Sequence, residues 1–294
     1  MNRKDFAITA LVMLIWGFNF VMIKLGASEI NPLIMTAARF TLAVIPLIFF
    51  IRKPDVAWRY LIGYGVIFGV GVWGMASWSV TAGVTSGMSS VLLQTNVLFG
   101  IVVGIVIYKD RLSTTKIVGC GAALFGLVIS ILTTNGNVTV FGLVLIMIAA
   151  VSWTTIGMIV KASKVKQAFA FNIWGMLFAP IPLVLLAVAL HGTEVLHQAY
   201  EVWNWDITLA VMFQAYPTTL FGYWVWNRML LKYPFSTVAP LSLLVPIFGL
   251  LSGYWVYNET LSTAQIYSCG LFLLGILMII WVPKNGLLLR KQAD

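Results

Sequence analysis

One stretch of the chain sets acid and imidazole side chains at a spacing that could hold a metal ion. His191, Glu194, His197 and Glu201 follow one another at steps of three and four residues, as on one helix face. The same stretch carries Val195, Leu196, Tyr200, Trp203 and Trp205, a composition that suits a short helix lying in a membrane interface. The interfacial helix is the reading adopted, and neither metal nor cofactor is expected. The sequence holds no Walker A loop, nucleophile elbow or zincin signature, so nothing in it points to an enzyme or an ATPase.

The remaining candidates are polar side chains inside apolar runs, where each needs a cavity or a partner. Arg39 is the one charge well inside such a run. It reads either as an anchor for a substrate carboxylate or as a structural arginine pairing with backbone carbonyls, Glu29 or Glu259. Lys24 sits nearer a segment end and reads as interfacial. Trp16 and Asn19 are three residues apart and share a face. Trp153, like Trp16, falls at mid-segment, away from the interfacial belt where tryptophan usually gathers. Ser77, Trp78 and Gln94 are further candidates, each able to meet substrate or a neighbouring helix. The most polar segment holds Gln214, Tyr216, Thr218, Thr219, Tyr223, Trp224, Trp226 and Asn227, with Pro217 inside it. Thr219, Tyr223 and Trp226 form one stripe at i, i+4 and i+7, and a proline there can kink a gating helix. Pro240 and Pro246 bracket Ser242 and free carbonyls that a cavity or a neighbour must satisfy.

These residues need apolar helices to position them, and the composition supplies those. Of 294 residues, 61% are hydrophobic and 9% charged, with a mean hydropathy of +0.97. A soluble domain carries roughly 25% charged residues, so the chain reads as an all-α integral membrane protein. Ten apolar segments can be drawn, at 6–25, 33–51, 60–81, 86–107, 114–132, 139–160, 168–189, 207–230, 235–257 and 263–282. No small-residue cleavage site follows the first, which is expected to stay as a membrane helix. With the N-terminus in the cytoplasm, 16 of the 18 basic residues fall on cytoplasmic segments, Lys24 and Arg39 being the exceptions. The external loops then carry Glu29, Glu194, Glu201, Asp206 and Glu259, as the positive-inside rule requires. The net charge of +9 therefore follows from basic helix ends, and nucleic acid is not an expected partner. The two cysteines, Cys120 and Cys269, read as small packing residues.

One stretch occurs twice. YKDRLSTTKIVGCGAALFG from Tyr108 matches YNETLSTAQIYSCGLFLLG from Tyr257, at a constant offset of 149. Upstream, Gly100 and Gly104 fall on Gly249 and Gly253, small-xxx-small faces for close helix packing between halves or between protomers. Trp16 and Lys24 fall on Trp153 and Lys161 at an offset of 137, so about twelve residues are inserted in the second half, the 191–206 loop being the obvious place. Residues 1–135 and 136–294 are thus read as two five-helix repeats. Because five is odd, the second enters the membrane inverted, and both termini are cytoplasmic. Inverted repeats are a signature of secondary transporters, which alternate access about a central site.

The chain resembles the EamA-type branch of the drug/metabolite transporter superfamily. The likeness is carried by Trp16–Phe20, Pro32 with Ala38-Arg39-Phe40, Ser89–Gln94, Asp110-Arg111-Leu112 with Gly119–Gly126, Gly222-Tyr223, Val238–Pro246 and Asn258-Glu259 with Leu261. It implies a bacterial inner-membrane exporter of amino acids or their derivatives, with cysteine-type and O-acetylserine-type metabolites nearest. It also implies a cavity between the halves and a small-molecule substrate in a lipid bilayer, with the protein a monomer or homodimer. Alternatives are an importer or exchanger of purines or cationic drugs, or a lipid flippase. Where the family's hinge has Gly-Glu, the first copy here has Lys109-Asp110 and the second Asn258-Glu259. None of the nine carboxylates lies at mid-segment, so no membrane-embedded proton carrier is evident and facilitated diffusion or exchange is expected. The exception would be Glu259 or Glu29 titrating beside Arg39.

Overall fold

Most of the long apolar runs begin just after a side chain that accepts from the first free N–H groups of a helix. Asn2 caps through Asp5 N at 2.8 Å, Asn31 through Leu33 N at 2.9 Å, and Thr139 through Gly142 N at 3.1 Å. Pro32, whose missing N–H costs nothing at a first helical position, follows Asn31 directly. The computed structural model describes residues 1–107, 109, 113–133, 138–233 and 238–280. Within these the regular structure is all helical and no strand occurs.

Among the described residues seven helices are long and apolar enough to cross a membrane. They are α1 (Arg3–Ala27), α3 (Trp58–Thr81), α4 (Ser86–Val106), α5 (Thr114–Leu132), α6 (Val140–Ser163), α7 (Ala168–His191) and α11 (Thr263–Ile280). The shorter α2 (Pro32–Ile48) and α10 (Leu244–Tyr257) are apolar too. Between them lie the surface helix α8 (Glu194–Glu201) and the unbroken helical run 205–232, here α9. Side chains such as Val102, Phe125, Leu132, Phe141, Leu185, Trp255 and Leu274 point outward, which suits a lipid surround. Asp110, Arg111 and Leu112, the start of the 235–257 segment and everything from Trp281 onward lie outside the described residues.

Two of the long helices contain a π-helical stretch. Ile67–Gly74 in α3 and Gln214–Phe221 in α9 run as π-helix. Pro217 accounts for the second, since its missing N–H and its ring disrupt the i→i−4 ladder and a wider turn relieves both. Thr219 Oγ1 donates to Gln214 O at 2.7 Å, five residues back. The first contains Gly69, Gly71 and Gly74 and no proline.

Among the described residues the most extensive helix–helix seam joins α5 to α11. A Cβ on Gly126 would lie 2.5 Å from Phe272 N, and one on Gly275 would lie 2.4 Å from Ala123 N. Only glycine lets the two backbones approach this closely. Cys269 is buried there beside Ser130, Sγ to Oγ 3.4 Å, while Cys120 is half-buried; both are free thiols. The paired Gly-xxx-Gly faces behave unequally. Gly249 rests against Ser90 of α4 and Gly253 against Ser86 and the Glu259 carboxylate. Gly100, expected to pack in the same way, faces open space, because its flank of α4 turns Val102, Ile105 and Val106 outward.

The hinges keep a glycine-like backbone without glycine. Lys109 (φ 57°) and Asn258 (φ 51°) both adopt the left-handed conformation at the positions where the resemblance expects Gly. Asparagine tolerates that region well; Lys109 occupies it at greater steric cost.

Candidate functional site

Arg39 is fully buried on α2 and turned toward α9. Its Nε and Nη2 both donate to Thr219 Oγ1, at 3.1 and 2.9 Å, and Nη1 reaches Gln214 Oε1 at 3.5 Å. Thr219 and Gln214 come from the π-helical stretch, which brings both to bear on one guanidinium. The Arg39 guanidinium carbon lies 4.2 Å from the Trp73 ring centroid, a cation–π contact. The pairing with Glu29 or Glu259 that the structural reading allowed does not occur: Glu29 accepts from Asn204 Nδ2, and Glu259 is taken by Lys24. Arg39 instead points into the bundle, where among the described residues no carboxylate meets it.

Around this charge the aromatic rings form a continuous set. Trp73 meets Trp153 at 5.9 Å and Phe68 at 6.3 Å between centroids. Phe68 meets Tyr223 at 5.8 Å, and Tyr223 meets Trp16 at 5.4 Å. Trp16 Nε1 donates to Thr218 O at 3.0 Å, a carbonyl in the π-helical stretch. Gly222 makes room for that ring, since a Cβ there would come 2.3 Å from Trp16 Nε1. Asn19 is fully buried with neither amide atom hydrogen-bonded, and Thr218 Oγ1 is likewise unpartnered. Buried polar atoms without partners are rare and costly. Trp16, Arg39, Trp153, Gln214, Thr219 and Tyr223 thus converge, drawn from α1, α2, α6 and α9.

The other named residues fall elsewhere. Ser77 accepts from Thr36 Oγ1 at 3.1 Å, one helical turn from Arg39. Trp78 packs against Phe141 and His191, away from the cluster. Gln94 Nε2 donates to Ser242 O at 3.3 Å. That carbonyl is the one Pro246 cannot serve, being four residues before it, so Gln94 completes a neighbouring helix. Phe68 and Trp73 were not singled out from sequence, where they look like ordinary members of an apolar run. The π-helical turn that swings them inward has no sequence signature beyond its glycines.

α1 is tied at both ends. Near its start, Lys232 Nζ lies 2.6 Å from Asp5 Oδ2, which also accepts from Tyr233 Oη. Near its finish, Lys24 Nζ lies 2.8 Å from Glu259 Oε1. Glu259 also accepts from Ser86 N, Ser86 Oγ and Gly87 N, each at 2.9 Å, at the start of α4, where a helix N-terminus favours negative charge. Burial pushes this carboxyl upward, but the bonds from Lys24, Gly87 and Ser86 outweigh it and hold Glu259 below the usual glutamate range.

A cavity of about 800 Å³ opens between α10 and α11, lined by Leu244, Ile247, Leu251, Ile266, Leu273 and Leu277 among others. Its lining is almost wholly apolar, and the Arg39 cluster contributes nothing to it.

The profile of the EamA-like transporter family matches residues 6–132 and again 140–281. A "Probable amino-acid metabolite efflux pump" of Salmonella typhimurium is 30% identical over 299 residues, covering 100% of this chain and 99% of that one. A protein of the same description from Escherichia coli is 31% identical at the same coverage. An "Uncharacterized transporter" of Archaeoglobus fulgidus is 24% identical over 288 residues, covering 94% and 99%. A solved crystal structure superposes over 100% of both chains with a TM-score of 0.60 at 16% identity, a likeness of fold alone. With apolar helices fit to span a bilayer, two matches of one family along its length and transporters for relatives, the chain belongs to the EamA-like transporter family.

Proposed function

We propose that this transporter exports amino acids or closely related metabolites through the cluster around Arg39, by alternating access between two inverted five-helix halves. The observation that carries the reading is the convergence of Trp16, Arg39, Trp153, Gln214, Thr219 and Tyr223, which draws on residues from both sides of the midpoint. A buried cation, aromatic faces and a few amides and hydroxyls suit a small, partly apolar zwitterion. The relatives described as amino-acid metabolite efflux pumps point the same way.

Several features support ten spans in two repeats, residues 1–135 and 136–294. α9 runs on the order of 40 Å at 1.5 Å per residue, enough to cross. It buries Gln214, Thr218 and Thr219 while exposing Leu209, Met212 and Trp224. The two π-helical stretches, Ile67–Gly74 and Gln214–Phe221, lie 147 residues apart, close to the 149-residue offset of the repeat. The Gly126 and Gly275 contacts are reciprocal under the 149-residue offset, Phe272 and Ser268 exchanging with Ala123 and Gly119. The proposed placement is the bacterial inner membrane with both termini cytoplasmic. Transport is proposed to run down the substrate's own gradient.

Reconstituted into proteoliposomes, the protein is expected to release preloaded amino acids or their acetylated forms, and a Tyr223→Ala variant to release them at least tenfold more slowly while folding normally. Equal rates from the variant, or from empty liposomes, would remove this reading. Cysteines placed at Thr193 and Ser163 are expected to label from opposite faces; labelling from one face would end the inverted topology.

A further inference from the structure

The hydrogen bonds of Arg39 are unequal in a way that bears on what the carrier accepts. Thr219 offers one oxygen to the Nε/Nη2 edge of the guanidinium, at 3.1 and 2.9 Å, and is itself held by its bond to Gln214 O at 2.7 Å. The Nη1 side has only the 3.5 Å reach to Gln214 Oε1, at the limit of a hydrogen bond. Gln214 is no better held by its other contact, a 3.6 Å donation from Nε2 to Met35 Sδ. A guanidinium carries five donors in a rigid fork shaped for two oxygens of one anion. Here it meets neutral partners only, in a site with no exposure to solvent.

A cation kept charged and buried without an anion is costly, and the cost falls when an anion arrives. Trp73 covers one face of the guanidinium, Thr218 beside Thr219 presents a buried hydroxyl without a partner, and Asn19, one turn along α1 from Trp16, presents a buried amide without one. The pieces match an α-amino acid: an anion for the fork, and hydrogen-bonding groups beside an aromatic wall for the rest.

We infer that Arg39 is the receptor for a substrate carboxylate, which takes the guanidinium edge that Gln214 holds weakly at 3.5 Å, so that the carrier selects free acids. This rests on the export reading above and narrows it: amides, esters and decarboxylated amines of the same side chain are excluded. Gln214 is a stand-in, holding the fork until the carboxylate displaces it.

The test is counterflow in proteoliposomes with the twenty common amino acids and their N-acetyl forms. Each free acid that is carried is then compared with its primary amide and its decarboxylated amine. Wild type is expected to carry the acid at least tenfold faster than either neutralised form. Arg39→Gln is expected to abolish that preference, and Arg39→Lys, which keeps the charge but not the fork, to retain a reduced part of it. Should Arg39 variants fail to fold, Gln214→Met leaves the guanidinium in place and removes the stand-in. It is expected to lower the half-saturating acid concentration severalfold, and a raised value overturns the displacement. Acid, amide and amine carried equally would overturn the inference while leaving export intact. No free acid carried would overturn the export reading itself.

Discussion

The α5–α11 seam and the α2–α9 contact are made of opposite materials. At the seam, Gly126 and Gly275 bring backbone against backbone. At the contact, one arginine meets a hydroxyl and an amide beside a set of rings. Close backbone packing is stiff, because any displacement creates a void or a clash. A polar contact can change partners at little cost, because each bond lost to a neighbour can be replaced by one to a ligand. On the function proposed above, the seam holds the two proposed halves together and the contact exchanges substrate.

The largest expected effect breaks the seam. Gly275→Val places side-chain atoms where a Cβ alone would already sit 2.4 Å from a backbone nitrogen. Overpacking of this kind costs on the order of 3 kcal/mol, so thermal unfolding in detergent should fall by many degrees. An unchanged midpoint would show that the seam yields.

On the polar side the expected loss is of function. Trp16→Ala removes the ring between Tyr223 and Trp226 and its bond to Thr218 O. Flux should fall roughly tenfold or more, equivalent to about 1.4 kcal/mol, with most folded protein retained. Normal flux would reduce Trp16 to a packing residue.

The end of α1 should respond less. Glu259→Gln removes the charge that Lys24, Ser86 and Gly87 meet, at a cost of about 1 kcal/mol. Because this carboxyl is held below its ordinary range, its stabilisation is present above the unfolded glutamate value and is lost as pH falls through the lower folded one. Stability and flux should therefore be flat across roughly pH 5–8 with respect to this group. Net accumulation driven by a pH gradient, and absent in Glu259→Gln, would contradict both that flatness and transport down the substrate's own gradient.

The smallest effect sharpens the seam argument. Gly100→Ala meets nothing within 4 Å and should shift stability by less than about 0.5 kcal/mol. A large loss would mean that this glycine packs against something outside the chain.

How much of this was legible in sequence depends on the residue. Arg39, Trp16, Thr219 and Tyr223 stood out because a polar or mid-segment aromatic residue in an apolar run needs a reason, and that reason is local. The hinge glycines looked lost, yet Lys109 and Asn258 keep the backbone they would have had, which no propensity rule foretells. Gln94 drew attention as a polar group, but its partner is set by Pro246 on another helix, a long-range relation. Gly100 matched Gly249 in spacing and differs in surroundings, since spacing fixes a face but not what covers it. Phe68 and Trp73 were invisible for the same reason: a π-helical turn changes which residues face inward, and periodicity at 3.6 misreads the phase.

The central claim is that transport rearranges the polar contacts, the Lys24–Glu259 tie at the end of α1 among them, while the glycine seam stays closed, and paired cross-links test it most directly. In a Cys120→Ala background, Ser130→Cys can be oxidised against native Cys269, whose Sγ lies 3.4 Å from the Ser130 hydroxyl. Separately, Lys24→Cys and Glu259→Cys, whose parent side chains meet at 2.8 Å, can be joined by a short bifunctional thiol reagent. Flux in proteoliposomes is then measured before and after cross-linking, and again after release. The account predicts that the seam cross-link leaves flux intact and that the Lys24–Glu259 cross-link stops it reversibly. Flux lost on closing the seam, or persisting with the α1 end locked, would contradict it.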